Sequence, residues 1–274
     1  MQGEGLKKLQ SGQPISTREL LLLIAQLSWP AILAQISSVV MQYIDTAMVG
    51  QLGSNASAAI GVVATTSWLF GDLCIALTIG FNVAVAQALG ARQSEKARGI
   101  MKLAFLVCMA FSLVMMAIAL GITGNLPRWL RADPAIWQDA SAYFLVYVLS
   151  LPFMQLNNLC GGLLRSAGNS AAPLWFLGTS ALLNIALDLL FVLVFSWGIA
   201  GAAIATSLSQ LICAWLVIRT LQRAHGDYRL DLKKIRPDGW LLKRMLVIGL
   251  PAGISSVLYN ITNVYVQKAI NLLG

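Results

Sequence analysis

The sequence predicts an all-α, polytopic membrane helix bundle, with one six-helix lobe and the first helix of a second, pseudo-symmetric lobe. Hydrophobic residues make up 58% of the 274 residues and charged residues only 11%, whereas soluble domains carry about 25% charged residues. A helix needs about 20 mainly apolar residues to cross a bilayer. Seven stretches meet this requirement, at residues 20–49, 56–88, 99–123, 136–164, 171–195, 198–221 and 241–271.

Segments rich in turn-forming residues separate these apolar stretches. Gly50 to Asn55 lies between the first and second stretches, and Gly90 to Glu95 lies between the second and third. Pro173 follows the fourth connection, where it suits the first turn of a helix. The connection Ser196-Trp197-Gly198 is so short that we expect the fifth and sixth helices to be antiparallel neighbours.

The basic residues indicate how the helices are oriented in the membrane. Of the 19 Lys and Arg residues, all but three lie at the N-terminus or in the second, fourth and sixth connections. Arg128 and Arg131 lie on the opposite side, and Lys268 lies in the last apolar stretch. Because Lys and Arg accumulate on the cytoplasmic side, we expect a cytoplasmic N-terminus in the cell inner membrane. The same distribution argues against nucleic acid as a partner.

The longest polar segment divides the sequence into two parts. We expect a six-helix transmembrane lobe at 1–221, a cytoplasmic linker at 222–240 and the first helix of a C-terminal lobe at 241–274. The segments from Pro30 to Gly53 and from Pro251 to Gly274 are equally long, and both end in Leu-Gly. This similarity suggests a parallel repeat, as in transporters built from two halves. We therefore expect the rest of the C-terminal lobe to be a missing partner of this chain.

Residue counts argue against several kinds of site. The single histidine, His225, leaves a histidine-based metal site without ligands. Four cysteines stand alone in apolar stretches, as expected of buried small hydrophobic residues; they are Cys74, Cys108, Cys160 and Cys213. With no histidine in a membrane helix and no nucleophile motif, we expect no enzyme activity and no cofactor apart from a coupling ion.

Polar residues inside apolar helices mark a candidate site, because an aspartate at the centre of a membrane helix costs about 2.5–3.5 kcal/mol on insertion scales. With a rise of about 1.5 Å per residue, Asp45 lies about 7 Å and Asp188 about 12 Å from the outer end of its helix. Thr206 and Tyr143 lie at similar depths, and Asn184 precedes Asp188 by one turn on the same face. These five side chains are therefore predicted to lie in the outer half of the membrane.

The chemistry of these groups suits a small cation. Carboxylates, an amide oxygen and a hydroxyl are hard oxygen ligands, and two nearby carboxylates in a low dielectric cannot both be ionised cheaply. We predict that Asp45 and Asp188 form a shared Na⁺ or proton site, with Asn184 and Thr206 as neutral ligands. The alternative is that these groups only form hydrogen bonds between helices.

Three further residues are candidates from their positions. Asp72 lies near the membrane midplane. Either it lines a cavity and attracts cations, or it is a peculiarity of this sequence without such a role. Pro30 breaks a backbone hydrogen bond and should kink the first helix, either statically or in response to protonation of Asp45. Asn157 lies in the inner part of the fourth helix, where it would line a cavity or connect neighbouring helices.

The segment from Tyr43 to Gly53, preceded by Trp29-Pro30, resembles the multidrug and toxic compound extrusion (MATE) transporters. The segments Leu164 to Asn169, Asn184 to Asp188 and Gly198 to Thr206 add to the resemblance. It implies twelve helices in two lobes and an ion site in the N-terminal lobe. The residues that match this ion site are Asp45, Asn184, Asp188, Thr206 and a helix-four tyrosine, Tyr143.

At one position this sequence differs from one branch of the MATE transporters. One branch carries a glutamate in helix seven at the position where this sequence has Tyr259, so the sequence is more similar to the DinF-like branch. The resemblance implies a secondary active antiporter that exports organic cations or drugs in exchange for Na⁺ or H⁺. The alternative is a lipid-linked oligosaccharide flippase of the same superfamily, which should line its cavity with Arg or Lys to meet pyrophosphate.

Overall fold

Six long helices follow one another in the structure, a computed structural model that describes residues 16–223 and scattered positions between 239 and 266. No β-strand occurs between residues 16 and 223, so the predicted all-α bundle is confirmed. The helices are α1 (Thr17–Gly50), α2 (Ser54–Gly90), α3 (Ser94–Ile122), α4 (Trp137–Ser166), α5 (Ala171–Asp188) and α6 (Gly198–Arg223).

Length and composition allow most of these helices to cross a membrane. Within the described residues, five stretches are long and apolar enough: Ser54–Gly90, Ser94–Ile122, Pro134–Ser166, Ala171–Val194 and Gly198–Arg223. α1 has 34 residues, more than the length needed to cross a hydrocarbon core of about 30 Å. The predicted seventh helix at 241–271 and nearly all of the linker at 222–240 lie outside the continuously described range, so the division into two lobes stays a prediction.

α4 is the central helix of the bundle. It packs against α2, α6 and α3, while α5 pairs with α6 and α1 lies along α5. The α5–α6 connection turns at Ser196 (φ +55°) and Gly198 (φ +60°), and the extensive contacts between the two helices confirm that they are neighbours. This arrangement leaves α1 with its main contact on the same helix that carries Asn184 and Asp188.

The connection between α3 and α4 is more ordered than the predicted loop. It contains a short helix, Leu126–Trp129, and a 3₁₀ turn, Pro134–Ile136. The side chain of Asp133 accepts a hydrogen bond from the backbone N–H of Ala135 at 2.9 Å and so caps the 3₁₀ turn. The guanidinium of Arg128 lies 4.9 Å from the ring centre of Trp137. These local contacts, rather than hydrophobic periodicity, order the segment.

The end of α5 also differs from the continuous helix predicted at 171–195. The regular helix ends at Asp188, and Leu189–Val194 forms a π-helix, with the N–H of Phe195 donating to the carbonyl of Leu190 at 2.9 Å. The rings of Phe191 and Trp197 stack at 5.0 Å. π-Helical turns are rare overall, but those that occur are often found at functional sites. The turn here begins directly after Asp188, one of the predicted site residues.

Two apolar clusters occupy the two ends of the bundle. One joins the N-terminal halves of α2 and α4, including Val63, Phe144 and Leu151. The other joins their C-terminal halves with parts of α3 and α6, including Phe81 and Leu163. The segments between them carry the residues that we call the polar layer: Asp72, Gln155, Asn157, Ser180, Asn184, Asp188, Thr206, Ser209 and Gln210.

Candidate functional site

The contact between α5 and α6 brings three of the predicted site residues to one place, which we call the α5–α6 polar group: Asn184, Asp188 and Thr206. The Nδ2 atom of Asn184 donates a hydrogen bond to Thr206 Oγ1 at 3.2 Å, and Thr206 Oγ1 donates to the carbonyl of Ala202 at 3.1 Å. Asn184 is 0% exposed and Asp188 is 1% exposed. The Asn184 amide and the partly buried Thr206 hydroxyl are thus hydrogen-bonded to each other, and the buried carboxyl group of Asp188 lies one helical turn from Asn184 on the same face of α5.

The side chain of Asn184 has two different ends. Its Nδ2 atom is used by Thr206, whereas its Oδ1 atom is buried and accepts no hydrogen bond among the described residues. A buried acceptor without a donor costs about 1–3 kcal/mol. A bound cation or proton donor at this oxygen would offset that cost, which fits the predicted use of Asn184 as a neutral ligand.

The polar contacts continue one turn further along the same two helices. Ser180 Oγ donates to the carbonyl of Ser209 at 3.3 Å, and Ser209 Oγ donates to the carbonyl of Thr206 at 2.8 Å. Ser180, Asn184 and Asp188 are spaced by four and share one face of the helix. The sequence interpretation missed Ser180 and Ser209, although this spacing from Asn184 was the signal that could have found Ser180.

Tyr143 lies against a second tyrosine, Tyr147, that the sequence interpretation also missed. The rings of Tyr143 and Tyr147 stack at 6.4 Å with an angle of 25° between their planes. A methyl group at Gly71 would lie only 2.6 Å from the Tyr147 hydroxyl. The structure therefore brings Gly71, the residue before Asp72 on α2, to Tyr147 of α4. The assignment of Tyr143 to the ion site stays a prediction.

Asn157 connects α4 to α6. Its Nδ2 atom donates to the backbone carbonyl of Gln210 at 3.0 Å and also to the Gln210 side-chain oxygen. Its own Oδ1 atom is buried and accepts no hydrogen bond among the described residues. The side chain thus links two helices, one of its two predicted roles, and its part in a cavity stays a prediction.

The remaining predicted residues, Asp45 and Pro30, lie on α1, whose backbone is helical from Thr17 to Gly50. Their side chains are outside what the structure describes. α1 contacts α5, so Asp45 belongs to a helix next to the one that carries Asp188. A shared site for the two carboxyl groups and a kink at Pro30 both stay predictions.

The metal-binding residue types do not gather in the described part of the chain. Among those residues, no three His, Cys, Asp or Glu side chains lie close enough to hold a metal ion together. The cysteines are free thiols and all four are buried, as predicted: Cys74, Cys108, Cys160 and Cys213. A cation at the α5–α6 polar group would therefore depend on amide, hydroxyl and carboxyl oxygens together.

Comparison with known proteins gives a family match and curated relatives. The MatE family model matches residues 30–190, a range that includes four of the five predicted ion-site residues. The probable multidrug resistance protein YoeA of Bacillus subtilis is 24% identical over 253 residues, which cover 89% of this chain and 55% of YoeA. The multidrug export protein MepA of Staphylococcus saprophyticus is 24% identical over 236 residues, covering 86% of this chain and 52% of MepA. The chain spans about half the length of these relatives.

Solved structures show the same fold. An outward-facing multidrug resistance MATE family transporter of the MOP superfamily gives a TM-score of 0.84 at 24% identity, covering 93% of this chain and 55% of that chain. A MOP superfamily transporter from Pyrococcus furiosus, described as having a binding pocket of reverse polarity, gives 0.83 at 24% identity with the same coverage. The helix arrangement described above is thus that of one half of such transporters.

Proposed function

Because the chain belongs to the MatE family, we propose that it forms one lobe of a secondary active antiporter that exports organic cations or drugs in exchange for Na⁺ or H⁺. The observation that carries the proposal is the α5–α6 polar group, in which Asp188 is 1% exposed and Asn184 is 0% exposed. A charged carboxylate is costly to hold away from water. Binding of Na⁺ or H⁺ at Asp188 would neutralise the site and stabilise the ion-loaded state.

The three residues have different tasks in this proposal. Asp188 supplies the charge that the ion neutralises, and Asn184 offers the Oδ1 atom that accepts no hydrogen bond among the described residues. Thr206 orients the Asn184 amide through the 3.2 Å hydrogen bond to Nδ2, so that the oxygen and not the nitrogen faces the ion. Asp45 on α1 is proposed as the second carboxylate, and its helix would change position when the shared charge is neutralised.

The contact between α1 and α5 supports a route from ion binding to movement. A membrane helix that contains a proline can change its bend at that residue at little cost, because one backbone hydrogen bond is already absent. We propose that the bend of α1 at Pro30 differs between the ion-loaded and ion-free states. Export then follows from alternating access between this lobe and the second lobe of the complete protein.

The charge distribution supports cationic substrates over the pyrophosphate of a lipid-linked oligosaccharide. Basic side chains of the described helices lie near helix ends, as at Arg98, Arg165 and Arg223, whereas Asp72 and Asp188 lie in the polar layer. We also propose a cytoplasmic N-terminus in the cell inner membrane, with no cofactor apart from the coupling ion. The flippase remains the alternative and would require basic groups from parts of the protein beyond residues 16–223.

Substitution of Asp188 tests the proposed coupling. In cells that express the complete gene, Asp188→Asn should reduce drug efflux to the level of cells without the transporter. The reason is that an amide carries no negative charge for Na⁺ or H⁺ to neutralise. Efflux is measured with Na⁺ concentration and external pH varied separately, which identifies the ion. Asp139→Asn is the matched control, since Asp139 is exposed in the first turn of α4. Ion-driven efflux at full rate in Asp188→Asn would refute the proposal.

A further inference from the structure

The face of α6 that points away from the bundle carries an ordered row of side chains. Leu211, Trp215 and Arg219 follow one another at intervals of four residues, so they lie along one side of the helix. All three are exposed, Leu211 by 40% and Trp215 by 55%. The other side of the helix, with Cys213 and Val217, is buried. The row therefore runs from an apolar through an aromatic to a basic side chain on the outer surface.

A contact between α5 and α6 sets the depth of this row. Cys213 Sγ donates to the carbonyl of Phe176 at 3.6 Å, so these two positions lie at the same level. Because the two helices are antiparallel, Trp215 of α6 is level with Trp175 of α5 to within about one residue, or about 1.5 Å. Trp175 is 75% exposed. Two exposed tryptophans at one depth are typical of the boundary between the hydrocarbon and the headgroups of a membrane.

The length of α6 places Arg219 at the same boundary. Trp197, the residue before the start of α6, is 51% exposed and suits the opposite boundary. From Gly198 to Arg219 the helix rises by about 32 Å, which is close to the hydrocarbon thickness of about 30 Å. The helix then continues for one more turn to Arg223. Arg219 thus lies at the level of the lipid phosphates, in the cytoplasmic leaflet if the orientation proposed above holds.

The guanidinium of Arg219 is directed towards the membrane and not towards water. It lies 4.9 Å from the ring centre of Trp215, which is one turn further into the membrane. A long basic side chain near a helix end is able to extend into water, whereas this contact keeps the positive charge against the tryptophan ring. A guanidinium at this depth can form paired hydrogen bonds with the oxygens of a phosphate group.

We propose that Leu211, Trp215 and Arg219 form a binding site for one anionic phospholipid. The lipid phosphate would contact Arg219, the glycerol region would lie beside Trp215, and an acyl chain would lie along Leu211. Anionic lipids attract basic residues at the membrane surface, whereas the choline of phosphatidylcholine offsets the charge of its own phosphate. The site lies on the outer surface of the bundle, so it is distinct from the α5–α6 polar group and adds a lipid partner to the proposed function.

Lipid binding to the complete protein tests the site. The protein is purified in detergent, and its affinities for phosphatidylglycerol and phosphatidylcholine are measured by native mass spectrometry. Arg219→Gln should weaken the binding of phosphatidylglycerol by about fivefold, the effect of one basic residue at an anionic membrane surface. Arg219→Lys keeps the charge and should retain most of the affinity. Lys96→Gln is the matched control, because Lys96 is exposed at the start of α3, at the same end of the bundle.

Trp215 separates a defined site from general attraction by basic residues. Trp215→Leu should weaken the binding of phosphatidylglycerol by about two- to fivefold, the range of an exposed cation–π contact, and Trp215→Phe should weaken it less. Equal losses in Lys96→Gln and Arg219→Gln would mean that the basic end of the bundle acts as a whole, which would overturn the site. Unchanged affinity in Arg219→Gln would overturn it as well, and is expected if the second lobe covers this face of α6.

Discussion

In the proposed ion site the two ends of the Asn184 amide group would have separate tasks, and this separation depends on a single hydroxyl group. Thr206 Oγ1 accepts from Nδ2 at 3.2 Å and donates to the carbonyl of Ala202 at 3.1 Å. The hydroxyl therefore uses its proton on the backbone and can only accept from Asn184. This arrangement fixes the amide so that Oδ1 is directed away from Thr206, which is the orientation an ion would need.

Substitution of Thr206 tests this orientation. Thr206→Val preserves the branched shape but removes the acceptor of the Asn184 amide, so the amide is no longer fixed and the buried N–H costs about 1–3 kcal/mol. The concentration of Na⁺ or H⁺ that gives half-maximal efflux should rise several-fold. Thr206→Ser keeps the hydroxyl and should behave like the unmodified protein. The role would be disproved by an unchanged ion dependence in Thr206→Val.

At this scale the sequence predicts some contacts and not others. That Asn184 and Thr206 lie near each other was predictable to within one helical turn, because Asp188 and Thr206 lie about 12 Å deep on helices joined by a very short connection and Asn184 precedes Asp188 by one turn. Tyr147 and Gln210 were not, because their roles arise where α4 meets α2 and α6. Hydrophobic patterning says which residues lie in a helix, but it does not say which face of α4 meets which neighbour.

Among the elements, the end of α5 owes its shape to tertiary contacts. The π-helix Leu189–Val194 packs closely against the start of α6, where a methyl group at Gly201 would lie 3.1 Å from the Phe191 carbonyl and 3.0 Å from Trp197. The ring of Phe191 stacks on the rings of Phe195 and Trp197, and the latter two rings are tilted by 40° to each other. The apolar run at 171–195 predicts a helix, but nothing in it indicates that α-helical hydrogen bonding changes to π-helical hydrogen bonding after Asp188.

A small substitution at Gly201 tests whether this close approach matters. Gly201→Ala places a methyl group against backbone atoms of Phe191, which cannot move aside as a side chain would, and should destabilise the fold by about 1–3 kcal/mol. Gly178→Ala is the matched control in α5, because nothing lies within 4 Å of its added methyl group. The free energy of unfolding of Gly178→Ala should rise by up to about 1 kcal/mol, because alanine has a higher helix propensity than glycine. Thermal unfolding in detergent measures both, and equal midpoints would contradict the prediction.

At the scale of the whole bundle, residues 16–223 form two apolar clusters with the polar layer between them. Hydropathy predicted the number of helices among residues 16–223 and most of their boundaries, since a bilayer sets the length of each apolar run. It did not predict the central position of α4, which depends on packing between residues far apart in sequence, such as Phe81 and Leu163 of the same apolar cluster. The order of the helices along the chain is by itself compatible with several different helix arrangements.

Orientation in the membrane is the prediction that belongs to this scale. Gln93 in the α2–α3 connection and Asn125 in the α3–α4 connection are both exposed. In whole cells, Asn125→Cys should react with a maleimide that cannot cross the membrane, and Gln93→Cys should react only after the membrane is permeabilised. The native cysteines are buried and should contribute little, because exposure governs thiol reactivity. The reverse pattern would invert the proposed topology.

The short connection between α5 and α6 has a consequence for how an ion leaves. Only Phe195, Ser196 and Trp197 separate the π-helix from α6, and Ser180, Asn184 and Thr206 fasten the two helices further along. The pair should therefore travel as one piece during a transport cycle, with Asn184 and Thr206 at a constant distance from each other. Release of the ion would then depend on the distance between the α5–α6 pair and α1. A crosslink from α1 to α5 should therefore trap the ion, whereas a crosslink from α5 to α6 should have no effect on the exchange of the ion.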